Sequence, residues 1–166
     1  MNNLQRCLDA AHGYIMLGMF QDAWDELENL PPEFCSDDVV LALRIEVFHG
    51  LGKWDSARVL AESLATRSPE NPDWWLSWSF ALRREQSVDA AQAVLRKAAH
   101  IHPTVAMIAY NLACYACLLG KIAEAKELLK RAFDADEAFK KLAMDDPDLD
   151  AIFDKGMPTT MGLREG

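Results

Sequence analysis

Three short clusters in the sequence have side chains that could bind a metal ion or exchange electrons. They are a Cys-x-x-Cys pair, a run of alternating aspartates and a His-x-His pair: Cys114 and Cys117; Asp146, Asp148 and Asp150; His100 and His102. Thiolates and imidazoles are ligands for zinc, and spaced carboxylates are ligands for calcium. Whether these side chains bind a metal ion or only stabilise the fold depends on the helices and turns that position them.

Each cluster lacks a feature that its chemistry requires. A redox Cys-x-x-Cys pair lies at a helix N-terminus, where the dipole lowers the thiol pKa, but this pair falls in the middle of a predicted helix. The aspartate run has Ala151 where a calcium loop needs glycine and Met157 where it needs glutamate. We therefore expect no metal and no cofactor. The aspartates are predicted to cap a helix and the histidines to end one.

Catalytic signatures are also missing from the sequence. It contains no glycine-rich phosphate loop, no Gly-x-Ser-x-Gly and no His-Glu-x-x-His. We expect a protein that is not an enzyme.

Composition and charge limit the class of protein and of partner. The chain has 166 residues, of which 51% are hydrophobic and 26% charged, as is usual for a globular domain. The formal net charge of −9 repels nucleic-acid phosphates and anionic lipid headgroups. No nucleic-acid partner is expected.

The cellular location is predicted from three features of the sequence. The first residues lack the basic and apolar regions of a secretory signal. The most apolar stretch, 105–119, is interrupted by Asn111 and is shorter than the roughly 20 residues that cross a bilayer. The four cysteines are expected to remain thiols in a reducing compartment. We expect a cytoplasmic protein without membrane insertion.

A 34-residue repeat dominates the sequence. Alanines recur at this spacing, and glycines recur five residues before three of them: Ala23, Ala57, Ala91 and Ala125; Gly18, Gly52 and Gly120. In the third repeat Gln86 occupies the position of this glycine. Apolar residues at helical spacing precede and follow each turn, so each repeat reads as helix, turn, helix. The predicted units are 4–37, 38–71, 72–105 and 106–139, two of which end near a proline that stops a helix, at Pro69 and Pro103.

This pattern resembles the tetratricopeptide repeat (TPR) family. Leu51–Ala57 and Leu119–Ala125 are close fits, each beginning Leu-Gly-Lys and ending in the repeated alanine. The resemblance covers residues 4–139 and implies an all-α, right-handed TPR solenoid of about four helix-turn-helix repeats. The stretch after Leu30 and the turn at Gln86 depart from the family pattern.

The sequence after the repeats resembles the stretch that closes many bacterial TPR groups. We expect residues 140–155 to form a C-terminal capping segment with a short capping helix, because the end of a solenoid must cover an apolar helix face. Asp146 is predicted to be its N-cap and Pro147 its first residue, with Leu149, Ile152 and Phe153 facing inward. Residues 156–166 are expected to be a flexible tail.

The face of each first helix opposite the core is the predicted binding surface. In TPR proteins this face lines the concave side and binds peptides, so the resemblance implies a peptide groove. Most of its side chains in this sequence are apolar, so we expect a largely apolar groove. The candidate peptide-binding residues are Leu8, His12, Ile15, Val39, Ala42, Glu46, His49, Leu76, Phe80, Arg83, Tyr110, Asn111 and Cys114. Arg83, Arg84 and Asn111 are candidates for holding an acidic group of the partner. Trp75 and Trp78 are predicted to be core residues and Trp74 to be partly exposed.

The expected function is a non-enzymatic adaptor or scaffold that binds a protein segment in this groove. Two alternatives remain open. One is a cytoplasmic secretion-type chaperone for an apolar cargo. The other is a self-assembling homo-oligomeric scaffold, in which a second copy covers the groove. The tail of the same chain is a further candidate for covering it.

Overall fold

The computed structural model of the protein describes residues 3–153. In this range the chain forms ten α-helices and no β-strand, which confirms the all-α class. The helices are α1 (Asn3–Met16), α2 (Phe20–Glu28), α3 (Asp38–Gly50), α4 (Trp54–Arg67), α5 (Pro72–Glu85), α6 (Val88–Ile101), α7 (Ala106–Leu118), α8 (Ile122–Ala135), α9 (Ala138–Asp145) and α10 (Asp150–Phe153). Two 3₁₀ turns, Pro32–Phe34 and Pro147–Leu149, lie after α2 and after α9. None of the described helices is long and apolar enough to cross a membrane.

The repeated alanine is a fully buried position on the second helix of each repeat. All four members of the column, Ala23, Ala57, Ala91 and Ala125, have no exposed surface. The distance between packed helices depends on the side chains at the contact, and a methyl group keeps it short. Leucines four residues further along α2, α6 and α8 are also buried, which confirms the predicted helix pairs.

Three of the turns between paired helices depend on a glycine in the left-handed region. Gly18, Gly52 and Gly120 have φ values of 72°, 68° and 73°, a conformation that disfavours any residue with a Cβ atom. After α3, the Gly52 amide donates to the His49 carbonyl and the Lys53 amide to the Phe48 carbonyl. This Schellman arrangement ends α3 and turns the chain back onto it.

The turn between α5 and α6 replaces the glycine with a different set of hydrogen bonds. The amides of Gln86 and Ser87 both donate to the Leu82 carbonyl, and Gln86 has a φ of −123°. The Ser87 hydroxyl then accepts the Ala90 amide at 3.1 Å. A side-chain cap of this kind is missing from α2, α4 and α8. In this turn an N-cap on α6, worth about 1 kcal/mol, replaces the glycine that ends the first helix in the other three repeats.

The described helices divide into two compact units, one that ends at His102 and one that begins at Pro103. The core of the first repeat lies between α1, α2 and α3 and includes Ala11, Leu27 and Val40. In the second unit, nine of the thirteen residues of α7 are buried. Helix α7 contacts both α8 and the turn Pro147–Leu149, which explains why more than one of its faces is covered.

The segment after α8 closes the second unit as the sequence predicts. The Asp146 carboxylate accepts the Asp148 amide at 2.9 Å, and Pro147 is the first residue of the 3₁₀ turn. Leu149 has no exposed surface, and Ile152 and Phe153 are half-buried. The segment consists of α9, the turn and α10. Helix α9 ends before Pro147, which has no amide hydrogen with which to continue it. The predicted flexible tail, 156–166, lies outside the described residues.

Replacing Ala91 by glutamate tests the packing of α5 against α6. Ala91 is fully buried, and its carbonyl accepts the Ser79 hydroxyl at 3.1 Å. A buried carboxylate without a partner should lower the free energy of unfolding by about 3 kcal/mol or more. Ala93 is exposed on the same helix, so Ala93→Glu should change it by less than about 0.5 kcal/mol. Urea unfolding followed by circular dichroism measures both, and equal stability of the two variants would contradict this packing.

Candidate peptide-binding site

The predicted binding stripe of the first unit lies on α1, α3 and α5. Its side chains are half-buried at Leu8, Ile15, Ala42, His49, Leu76 and Arg83, and exposed at His12, Val39, Glu46 and Phe80. Leu8 and Ile15 pack against the core of the first repeat. Consequently α3 and α5 offer most of the open surface of the stripe.

A cavity of about 310 Å³ opens between α3 and α5 along this stripe. It is lined by Ala42, Ile45, Glu46 and His49 from α3 and by Asp73, Trp74, Leu76 and Ser77 from α5. Its volume lies at the lower end of the roughly 300–1,000 Å³ that small-ligand sites occupy. The cavity therefore suits one large side chain of a partner.

The lining of this α3–α5 cavity carries two acidic side chains and no lysine or arginine. Glu46 and Asp73 are both exposed, and neither forms an ion pair with a residue in the described range. Asp73 lies in the first turn of α5, where the helix dipole favours a carboxylate. The charge of the stripe is therefore negative at this point.

Three rings form an aromatic patch beside the cavity: His49, Trp54 and Phe80. The ring centroid of Phe80 lies 5.1 Å from that of His49 and 5.9 Å from that of Trp54, in edge-on geometry. Phe80 keeps 42% of its surface exposed. The guanidinium of Arg84 lies 5.0 Å above the Trp54 ring, a cation–π contact. Because His49 belongs to both features, the aromatic patch and the α3–α5 cavity form one continuous surface.

Burial lowers the pKa of His49 and so favours its neutral form. Its Nε2 atom is buried and has no hydrogen-bond partner within residues 3–153. The neutral ring therefore acts as an aromatic wall between the cavity and Phe80.

Trp74 is buried, with only 4% of its surface exposed, so the prediction that it is partly exposed is wrong. Helix α5 packs against both α4 and α6, and its covered face is wider than a single apolar stripe. Trp74 lines the α3–α5 cavity from α5. Trp75 is buried as predicted, and its Nε1 donates to the Pro69 carbonyl at 3.0 Å.

In the second unit the C-terminal segment covers the corresponding stripe on α7. Tyr110 and Cys114 are each 3% exposed, and Asn111 is half-buried. The Tyr110 hydroxyl donates to Asp146 Oδ2 at 2.7 Å, and the Cys114 thiol lies 3.6 Å from the same oxygen. The Phe139 ring of α9 lies 5.0 Å from the Tyr110 ring. The chain itself thus contacts two of the positions that were predicted to meet a peptide.

The cap also brings Cys114, Asp146 and Asp148 together, with one potential ligand atom of each within 4.8 Å of the others. Sequence reasoning grouped the two aspartates but not Cys114, which lies 32 residues before Asp146. Both Asp146 oxygens accept hydrogen bonds, one from the Tyr110 hydroxyl and one from the Asp148 amide. Burial raises the pKa of Tyr110, so its hydroxyl keeps the proton that it donates. These contacts are structural and hold the turn on α7.

The histidine pair ends α6, as predicted. His102 is the C-cap residue, and its Nε2 lies 2.9 Å from the Pro69 carbonyl. His100 contacts a different acceptor, with its Nδ1 lying 2.7 Å from the Arg96 carbonyl of its own helix.

The lowered pKa of His49 predicts a specific pH dependence of stability. In the unfolded chain the ring binds a proton near its ordinary pKa of 6.5, before the folded protein does. The free energy of unfolding should therefore fall as pH drops below 6.5, until the folded pKa is reached. His49→Gln should reduce this loss, whereas His12→Gln, at an exposed histidine of α1, should not. Urea unfolding over this pH range compares the three proteins, and identical pH profiles would contradict the burial of His49.

Thiol labelling tests whether the cap covers α7. Cys114 and Cys117 are buried, whereas Cys7 and Cys35 are half-buried. We expect a thiol reagent to label Cys7 and Cys35 readily in the wild type. Leu149→Asp should dislodge the turn and thereby expose Cys114 and Cys117 to the reagent. Leu142→Asp, at an exposed residue of α9, is the matched control. Mass spectrometry locates the labels, and ready labelling of Cys114 in the wild type would show that the cap is open.

Comparison with known proteins identifies the fold. No family model matches the chain, and no curated protein matches it. Among solved structures, it is similar to a thermophilic TPR protein of Thermus thermophilus, with 21% sequence identity and a TM-score of 0.69. The likeness covers 80% of this chain and 74% of the other. Together with the buried alanine column and the glycine turns, this similarity shows that the chain has the tetratricopeptide-repeat fold.

Proposed function

We propose that the protein is a non-enzymatic adaptor or scaffold that binds a segment of a partner protein on the stripe of its first unit. The observation that carries this proposal is the continuous surface formed by the α3–α5 cavity and the aromatic patch. It combines an open concavity, an exposed aromatic anchor point and unpaired charge. Such a surface is suited to recognition of a side chain.

The chemistry of this surface specifies the partner. Phe80 and Trp54 offer apolar area to a bulky aliphatic or aromatic residue. Glu46 and Asp73 carry negative charge at the cavity, so they favour a lysine or arginine side chain there. The bound segment should therefore place a basic residue close to an apolar anchor. A long, purely apolar cargo, as for a secretion chaperone, would leave both carboxylates unpaired against it.

The second unit contributes little to this binding surface. Tyr110 and Cys114 are buried and both contact Asp146, the N-cap of the 3₁₀ turn, so a peptide would have to displace this residue to reach them. The proposal therefore keeps the predicted residues on α3 and α5 as peptide contacts. It removes the two buried positions on α7.

The properties of the Cys-x-x-Cys pair favour the non-enzymatic function. Burial raises the pKa of Cys117, and the neighbouring aspartates raise it further. The thiolate is the reactive form of cysteine, so a raised pKa suppresses nucleophilic and redox chemistry.

Selection from a random peptide library tests the proposed binding. Immobilised wild-type protein should enrich peptides in which lysine or arginine accompanies a bulky apolar residue. Phe80→Glu places a charge on the aromatic patch and should weaken a selected peptide at least tenfold, or about 1.4 kcal/mol. Glu46→Lys should remove the preference for a basic residue. Fluorescence anisotropy measures the affinities, and circular dichroism checks that each variant is folded.

The matched control is Val59→Glu. Val59 is exposed and lines a larger cavity, of about 510 Å³, between α2, α3 and α4. We expect this variant to bind the selected peptides like the wild type. Peptides that tolerate Phe80→Glu but are lost with Val59→Glu would move the binding site to the larger cavity and contradict the proposal.

A further inference from the structure

The turn between α1 and α2 exposes three large apolar side chains, which we call the apolar turn: Met16, Leu17 and Met19. Met16 is 74% exposed, Leu17 75% and Met19 40%. A contiguous patch of exposed apolar side chains often marks an interaction surface.

The repeat itself shows that this exposure is not a general property of the turn. The leucines that match Leu17 in later repeats, Leu51 and Leu119, are half-buried. The residues that match Met19 are the lysines Lys53 and Lys121. The apolar turn of the first repeat is therefore both more exposed and more apolar than its counterparts.

Acidic side chains accompany the apolar turn. Asp22 and Asp25 are exposed on α2, which follows it directly. Residues 4–37 contain one basic and seven acidic side chains. A partner for this surface needs an apolar pocket and positive charge.

A cavity in the second unit has this combination. About 400 Å³ in volume, it has an apolar floor and a rim in which lysines outnumber the one carboxylate. Its lining consists of Leu129, Phe133, Ile152 and Phe153 with Lys126, Lys130, Lys140 and Asp134. Lys126 and Lys130 are exposed and form no ion pair with any residue from 3 to 153, whereas Lys140 pairs with Glu137. We call it the lysine-rimmed cavity. In a chain of net charge −9, this grouping of lysines around apolar surface is a local exception.

We propose that the apolar turn of one copy of the chain docks into the lysine-rimmed cavity of a second copy. Leu17 and the two methionines would contact the apolar floor, while Asp22 and Asp25 would face Lys126 and Lys130. The two surfaces belong to different units and use none of the residues of the peptide-binding stripe, so this interface is independent of the proposed function. A contact between unlike surfaces is heterologous and leads to an open chain or a closed ring of copies.

Two other occupants of the lysine-rimmed cavity are distinguished by the test. One is an acidic segment of another protein, and the other is residues 154–166 of the same chain, which follow Phe153 directly. Charge and hydrophobicity favour the second copy, because its apolar turn and the adjacent aspartates provide both kinds of complementary surface.

The mass of the full-length protein in solution tests the proposal. Sedimentation velocity of the wild type should show a mass that rises above 18.6 kDa with concentration. Two variants should remain monomers: Leu17→Gln with Met19→Lys, which alters the apolar turn, and Lys126→Glu with Lys130→Glu, which alters the cavity rim. Arg131→Glu with Lys141→Glu makes the same charge change at exposed residues outside the cavity. This control should associate like the wild type.

Mixing the two monomeric variants gives the sharpest result. Each retains one intact surface, so the mixture should form a heterodimer of twice 18.6 kDa and no larger species. Salt should weaken the association, because exposed charges are screened. A chain that ends at Phe153 should associate as the full-length protein does.

Three results would overturn the proposal. The first is a wild-type protein that remains monomeric at every concentration, and the second is a mixture of the variants that forms no heterodimer. The third is association that appears only after residues 154–166 are removed, since that would mean the chain fills its own cavity.

Discussion

The hydrogen bond between Tyr110 and Asp146 fixes how the second unit ends. A stack of helix pairs leaves an apolar helix face uncovered at its end, and α7 and α8 would expose that face without the residues that follow them. The Asp146 carboxylate holds the covering segment in place. It caps the 3₁₀ turn by accepting the Asp148 amide, and it ties the turn to α7 by accepting the Tyr110 hydroxyl. Leu149 is then fully buried.

This closure gives the same repeat positions two different roles. On α3 and α5 the inner stripe is open, with Phe80 exposed beside a cavity that carries two carboxylates. On α7 the matching stripe is covered by the chain, and Tyr110 and Cys114 contact the residues that close the unit. The proposed function therefore uses the first unit for partner binding, while the second unit shows end closure, although both derive from one repeated pattern.

The repeat could be read from the sequence because it depends on local requirements. Only a small residue fits the column of Ala23 and Ala57, and only glycine adopts the backbone conformation of Gly52 without strain. The capping role of Asp146 was also predictable, since it uses residues within the same turn. The coverage of Tyr110 was not predictable, because its partner lies 36 residues away and periodicity shows which residues share a face but not what packs on it.

Trp74 was misjudged for a similar reason: helix α5 has neighbours on two sides, so its buried face is wider than the apolar stripe suggests. Trp54 was overlooked in the aromatic patch because it begins a second helix, outside the stripe.

The central claim is that the predicted binding stripe is open in the first unit and closed in the second. Hydroxyl-radical footprinting of the free protein, read by mass spectrometry, tests it directly, because side-chain oxidation follows exposure to solvent. Phe80, 42% exposed, should be oxidised several times faster than Tyr110, which is 3% exposed. Equal rates of oxidation at Phe80 and Tyr110 would contradict the account, since the cap would then leave α7 as open as α5.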